Sequence, residues 1–236
     1  MLYLKNMSDL ISTLIKHKNE FAPVIPSEFL AQPPFIFDFT ENNPELATLD
    51  LGDVQQFSQY IESTIQSAGR TMGAGGYGED RLLYKKSSLF TTKTEEPRSV
   101  HLAVDLWLPA GTEIFSPLPA VVHSFQNNQH YLDYGPTIIL KHTLDGITFY
   151  TLYGHLSPHS LDNLRPGQKI TAGQNIAVLG TSAENGQWPP HLHFQIIRDM
   201  LGKKGDFFGV AKPSERTHYL ELCPNPNLLL LLPGLS

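Results

Sequence analysis

The chain has 236 residues, of which 41% are apolar and 17% charged, and its formal net charge is −6. This is the composition of an ordinary globular protein, and its 18 glycines and 18 prolines indicate many turns between short strands. Lysine and arginine form no cluster, so the sequence lacks the basic patch that binding to nucleic acid or an anionic membrane requires. We therefore predict no nucleic-acid partner.

The cysteine content and the two ends of the sequence bear on its compartment. Cys223 is the single cysteine, so no intrachain disulfide is possible. The first residues lack the basic and long apolar regions of a secretory signal. The leucine-rich stretch Leu228–Pro233 is far shorter than the roughly 20 apolar residues of a membrane span. We expect no transmembrane segment and a cytoplasmic location; the oligomeric state is not indicated.

The first seventy residues have helical patterns at both ends. Ser8 can cap a short helix that ends before Pro23, with one apolar stripe formed by Leu10, Ile11, Leu14 and Ile15. Residues 23–44 are rich in Pro, Phe and Asn, which predicts an irregular segment. A second helix is predicted before Gly69, with apolar positions at Leu51, Val54, Phe57, Ile61 and Ile65. Residues 1–70 are thus interpreted as an N-terminal helical extension.

A glycine-containing connector is predicted over residues 71–97. Its first part, TMGAGGYGED at Thr71–Asp80, has four glycines, but no Lys-Ser or Lys-Thr pair follows as in a phosphate-binding loop. We interpret this stretch as a flexible or tightly turned connection.

After the connector, the pattern becomes that of short strands. Runs of β-branched and aromatic residues occur at Ala120–Phe125, Thr137–Lys141, Thr148–Tyr153, Asn175–Leu179 and His191–Ile197. Glycine-containing turns such as Arg165–Gln168 separate them. The fold class predicted is mainly β, with an antiparallel sheet, sandwich or barrel as its core, over residues 98–199. Residues 200–236 form a C-terminal extension.

Three short motifs carry candidate metal-binding or catalytic side chains. In HLHF, His191 and His193 point to the same face of a strand, about 6.6 Å apart along the backbone. In HLAVD, His101 and Asp105 can approach one ion whether the segment is extended or helical. In YGHLSP, His155 follows a predicted strand and a glycine. Each motif alone is also compatible with ordinary structural histidines.

Together, H-x-x-x-D, Y-G-H-L and H-x-H in this order resemble the LytM/lysostaphin-type zinc metalloendopeptidases. The resemblance covers residues 98–199 and includes the flanking text VDLWLPAGTEIFSPLP, RPGQKITAGQ and WPPHLHFQI. It implies an antiparallel β-core of the duplicated hybrid motif type, with a groove over the metal. Members of this family cleave peptides of peptidoglycan, often at glycyl bonds, and are typically exported. The implied substrate is therefore peptidoglycan or a glycine-containing peptide.

Position by position, the resemblance implies that His101, Asp105 and His193 bind Zn²⁺. It implies that His155 and His191 are the catalytic histidines. Because His191 is next to the metal ligand on the strand, we assign it as the general base. His155 then stabilises the oxyanion or donates a proton to the leaving amine, and the two roles could be exchanged.

The sequence departs from the family at Ala103, where the family usually has glycine; this adds one methyl and removes no ligand. Upstream, GGYGEDR places Tyr77, Glu79 and Arg81 where they could border or plug the groove, and we favour a structural role. The other six histidines are interpreted as structural or surface residues.

Two other functions remain open from the sequence. One is a non-catalytic or autoinhibited LytM-like regulatory module, which would explain the helical extension. The other is a sugar-phosphotransferase carrier domain, which uses paired histidines but needs no metal-binding carboxylate, so Asp105 argues against it.

Overall fold

The fold is a computed structural model that describes residues 10–86 and 96–235. The predicted cap Ser8 lies outside these residues. Within the described ranges, no helix combines the length and hydropathy that a bilayer-spanning segment needs.

The N-terminal region begins with helix α1, described over residues 10–16, whose Leu10 and Leu14 are buried. It is followed by strand β1 (Phe35–Phe37) and by helix α2 (Val54–Ser67). The Asp53 side chain accepts hydrogen bonds from two backbone amides at the start of α2, and Gly69 adopts φ +65° just after its end. Short 3₁₀ turns are found at Lys18–Glu20, Ser27–Ala31 and Pro44–Ala47. Both predicted helices are thus present, and α2 begins three residues later than its pattern.

An eight-stranded sheet forms the centre of the molecule. Besides β1, its members are β2 (Gly73–Gly75), β4 (Val104–Trp107), β6 (Ala120–Asn128), β7 (Gly135–Leu144), β8 (Ile147–Gly154), β9 (Lys169–Ile170) and β11 (His191–Ile197). Their order across the sheet is β1-β2-β4-β11-β8-β7-β6-β9. Strands β1 and β2 are parallel, and every other neighbouring pair is antiparallel. Two small antiparallel sheets pair β10 (Asn175–Val178) with β5 (Glu113–Phe115) and β12 (Val210–Ala211) with β3 (Val100–His101).

The strands predicted from β-branched and aromatic runs are all present. Strand β11 has the predicted bounds, while β6, β7 and β8 each extend beyond them and pair as a meander. Antiparallel neighbours can be joined by a tight turn without a crossover connection, and residues 145–146 form such a turn between β7 and β8. The mainly β fold class is confirmed.

Two expectations for the N-terminal third were wrong in part. The irregular segment 23–44 includes the three-residue strand β1. The glycine-rich stretch contains the predicted tight turn at residues 77–78, but it begins with buried strand β2 (Gly73–Gly75) instead of a flexible connection. Strand β2 pairs with β1 on one side and with β4 on the other. Glycine has no side chain to pack against neighbours, so this strand has no hydrophobic pattern to predict it. The division at residues 70, 97 and 199 stays a prediction.

The chain after the sheet packs back on it. Its helices are α4 (Arg216–Leu222) and α5 (Asn227–Leu230). The remaining short helix, α3 (Leu82–Lys86), lies much earlier in the chain, between β2 and β3. Leu222 and Cys223 join one hydrophobic cluster with Leu102 and Ile197, and Leu229 joins the main core. The C-terminal residues therefore pack against β11 and against the residue that follows β3.

Candidate metal centre

Three strands bring the predicted metal ligands together. Strands β4 and β11 are antiparallel neighbours in which Asp105 lies directly opposite His193, so both side chains project from the same face. His101 ends strand β3, and residues 102–103 separate it from β4. The HLAVD segment, which the sequence allowed to be extended or helical, is therefore extended with a break in the middle.

The donor atoms of these residues have the spacing of ligands around one small ion. His101 Nε2 lies 3.3 Å from His193 Nδ1 and 3.4 Å from Asp105 Oδ1, and His193 Nδ1 lies 3.2 Å from the same oxygen. Bonds of about 2.0–2.1 Å directed to the corners of a tetrahedron place neighbouring donors about 3.3–3.4 Å apart. The observed triangle fits three of the four donor positions around a zinc ion.

Hydrogen bonds on the far side of each imidazole determine which nitrogen faces the cluster. His101 Nδ1 donates to the carbonyl of Gly76 at 3.2 Å, and His193 Nε2 donates to Gln195 Oε1 at 3.0 Å. The two inward nitrogens therefore carry lone pairs, and they face each other and a carboxylate oxygen. Among the described residues, none donates a hydrogen bond to Asp105 Oδ1, although this atom is buried. Three inward-facing acceptors without a donor fit a bound cation.

Burial and nearby charges keep Asp105 and His101 in the protonation states that bind a metal. Burial alone would raise the pKa of Asp105, but the charge that His101 carries when protonated and the permanent charge of Arg81 outweigh it and hold this pKa well below its usual range. Burial lowers the pKa of His101 to about 4, and the charge of Arg81 acts in the same direction. At neutral pH Asp105 is thus a carboxylate and His101 a neutral imidazole, as metal binding requires.

The structure also places His155 and His191 beside this cluster. Their ring centroids are 4.1 Å apart, and His191 Nε2 lies 3.8 Å from Asp105 Oδ1. His155 Nδ1 donates to the carbonyl of Asn185 at 2.9 Å and His191 Nδ1 to that of Pro189 at 2.7 Å, which leaves both Nε2 atoms unprotonated. Burial lowers the pKa of both histidines, and for His155 the neighbouring His191 adds to the shift. Both are neutral proton acceptors at neutral pH.

The backbone of His155 is unusual for a residue that is not glycine, since its φ is +62°. Its N–H donates to Tyr134 O at 2.8 Å and its carbonyl accepts from Gly180 at 3.0 Å, so the surrounding loops hold this conformation. Left-handed backbone outside glycine costs of order 1–3 kcal/mol and is found disproportionately at functional sites.

A cavity of about 320 Å³ opens over the cluster. Its walls combine aromatic side chains with the inward-facing histidines, and Trp107 stacks on His191 with centroids 5.7 Å apart. Charged residues also line it, namely Arg98, Asp133, Lys203 and Asp206. The other six histidines, His17, His123, His130, His142, His159 and His218, are not among its lining residues.

The GGYGEDR segment contributes to the site through Arg81, one of the three residues that the sequence placed at the border of the groove. Arg81 Nη1 lies 2.5 Å from Asp105 Oδ2, whereas Tyr77 points elsewhere and donates its hydroxyl to carbonyls of Leu220 and Cys223. Tyr84, which the sequence did not single out, lines the cavity within 6.3 Å of the rings of His101 and Trp188. No motif signals Tyr84, because it reaches the cavity only through the packing of α3.

The fold and the donor set define a mainly β protein with a buried His–Asp–His cluster of the kind that binds a divalent metal. Residues 99–206 match the sequence model of peptidase family M23. This range includes the motifs around His101, His155 and His193, so the match confirms the resemblance that the motif order predicted. No curated protein matches the chain.

Several solved structures are similar to this one. The catalytic domain of lysostaphin from Staphylococcus simulans is 22% identical, with a TM-score of 0.42 over 66% of this chain and 94% of that one. The catalytic domain of the prophage-encoded M23 protein EnpA from Enterococcus faecalis is 20% identical, with a TM-score of 0.36 over 51% and 87%. A zinc containing peptidase from Vibrio cholerae is 21% identical, with a TM-score of 0.33 over 47% of this chain and only 34% of that one.

Proposed function

We propose that this chain is a zinc-dependent endopeptidase that hydrolyses a peptide bond in peptidoglycan or in a glycine-containing peptide. The observation that carries the proposal is the buried Asp105 Oδ1, which faces two imidazole lone pairs at 3.2 and 3.4 Å. The M23 match over residues 99–206 supports peptide hydrolysis as the reaction.

The metal would be held by His101, Asp105 and His193. Zinc in a site with three protein ligands supplies Lewis-acid activation of water and of the scissile carbonyl. The protein itself keeps Asp105 charged and His101 neutral. It also excludes bulk water from the donors, since all three side chains are at least 95% buried.

Proton transfer is assigned to the two neighbouring histidines. His191 Nε2 lies at the edge of the ligand triangle and has a free lone pair, so it accepts the proton of the attacking water. Trp107 stacks on this ring and limits its rotation. His155 Nε2 also has a lone pair, so it donates only after taking up a proton. The proton that His191 takes from water supplies it, since the two rings lie 4.1 Å apart, and we assign His155 to deliver that proton to the leaving amine.

The test is to measure zinc per chain and peptide cleavage in the same purified full-length samples. We expect one zinc per chain in the wild type, with release of soluble products from peptidoglycan or cleavage of a pentaglycine peptide. Asp105→Ala should lose both zinc and activity. His191→Ala should keep zinc and lose activity by roughly 10²–10⁴-fold, the usual contribution of a general base.

The matched control is His159→Ala, since His159 is exposed on the surface and its side chain contacts only Asp162 among the ion-pair partners described. It should leave both readouts unchanged. Stoichiometric zinc without cleavage of either substrate would favour the non-catalytic LytM-like module, and full activity of His191→Ala would refute the assigned base.

A further inference from the structure

The Arg81 side chain is buried between two carboxylates and two aromatic rings. Its Nη1 contacts Asp105 Oδ2 at 2.5 Å and its Nε contacts Glu79 Oε2 at 2.9 Å. The guanidinium carbon lies 5.3 Å from the centroid of the Phe39 ring and 5.8 Å from that of Tyr84. Arginine presents N–H groups in a planar fork, so it can hold both carboxylates at once without rotating.

The backbone around Arg81 is attached directly to the strand that carries a metal ligand. His101 N–H donates to the carbonyl of Glu79 at 2.9 Å, and Arg81 N–H donates to Ser99 O at 2.9 Å. The second oxygen of Glu79 accepts the N–H of Phe39 at 2.7 Å. Neither Glu79 nor Arg81 can move relative to His101 without breaking several buried hydrogen bonds.

The two oxygens of Asp105 are therefore in different environments. Oδ2 is occupied by Arg81, whereas Oδ1 faces the nitrogens of His101 and His193 and has no hydrogen-bond donor among the described residues. An aspartate that is free to turn can bind a metal through both oxygens, which would fill the coordination position that water needs.

We infer that Arg81 is a positioning residue that restricts Asp105 to a single metal-binding oxygen and so keeps one coordination position open. This inference rests on the proposed metal site, but it does not require that the protein be a peptidase. It gives the GGYGEDR segment a role that neither its sequence nor the family match over residues 99–206 assigns.

The probe for this inference is Co²⁺ bound to the full-length protein, because four-coordinate cobalt absorbs visible light more strongly than five- or six-coordinate cobalt. We expect wild-type protein to give the intense four-coordinate spectrum. Arg81→Met, which keeps an unbranched apolar side chain among the aromatic rings, should give the weak spectrum of higher coordination. Its affinity for Co²⁺ should fall by about 10- to 100-fold, as for other residues that orient a metal ligand.

Three further variants separate positioning from a general loss of stability. Arg81→Lys keeps the charge but cannot bridge both carboxylates, so its spectrum should resemble that of Arg81→Met. Glu79→Gln leaves Arg81 in place but removes the negative charge that pairs with its Nε. This variant should give a spectrum intermediate between those of the wild type and Arg81→Met. Arg70→Met changes an exposed arginine and should match the wild type.

A folded Arg81→Met protein with the wild-type spectrum would overturn the inference, even if its affinity for Co²⁺ were lower. Where Arg81→Met does not fold, an unchanged spectrum for both Arg81→Lys and Glu79→Gln would overturn it equally. Failure of wild-type protein to bind Co²⁺ would instead refute the proposed metal site. Four-coordinate Co²⁺ in a protein that cleaves no peptide would refute only the peptidase activity.

Discussion

Gly75 lies where the upstream segment meets the metal centre, and it provides a sharp test of the packing there. In strand β2 it pairs with Phe37 on one side and with Asp105 on the other. A Cβ atom at this position would lie 2.5 and 2.7 Å from two ring carbons of Trp107 and 2.8 Å from Arg81 Nη2. Both neighbours are buried, so neither can move aside into solvent.

The expected cost of Gly75→Ala follows from this overlap. Forcing an extra methyl group into a packed core destabilises proteins by about 1–3 kcal/mol. The reduced entropy of the unfolded chain offsets only about 0.4–1 kcal/mol of this. For a chain of this size, 1 kcal/mol shifts Tm by roughly 2–4 °C, so we expect Tm to fall by several degrees. If Trp107 is displaced, it also loses its stacking on the His191 ring. Peptide cleavage by Gly75→Ala should therefore be reduced even at temperatures where the variant is still fully folded.

The assay is thermal unfolding followed by circular dichroism, with Gly76→Ala as the matched control. A Cβ atom on Gly76 would meet Glu79 Cβ at 3.5 Å, which is an ordinary contact. Gly76→Ala should therefore melt at or slightly above the wild-type temperature. If the two variants unfolded at the same temperature, the close approach of Trp107 and Arg81 to Gly75 would be refuted.

Three further outcomes are expected. Burial lowers the pKa of His142 to about 4 from 6.5, so the unfolded chain gains a proton before the folded chain as pH falls. The free energy of unfolding should therefore fall as pH drops from 6.5 towards 4, by about 2.5 kcal/mol at pH 4.5. Denaturant titrations of His142→Gln should show a fall that is smaller by this amount. Gln195→Met removes the acceptor of the His193 Nε2 proton and should weaken zinc binding about 10- to 100-fold in a chelator competition, whereas an unchanged affinity would contradict the hydrogen-bond assignment. Chelation of zinc should lower Tm, and restoring zinc at about 1,000 times its Kd should return about 4 kcal/mol; a Tm independent of zinc would argue against binding to the folded state.

The parts of the fold that the sequence predicted are those with a side-chain pattern. Strand β11 and the helix α2 have runs whose periodicity matches one structure, and Gly69 ends α2 as expected. Strand β2 has three residues, two of them glycine, so no pattern was available. Its place between β1 and β4 depends on pairing with strands distant in the chain.

The sequence by itself predicted which groups could bind a metal, because three motifs in one order resemble a single family, and that resemblance implies His101, Asp105 and His193 as ligands. Only the tertiary structure decided which atoms of those groups face inward. The choice of nitrogen on His101 depends on a carbonyl of Gly76, and the choice of oxygen on Asp105 depends on Arg81, 24 residues upstream. Such choices are made by hydrogen bonds between segments that meet only after folding, and local sequence carries no record of them.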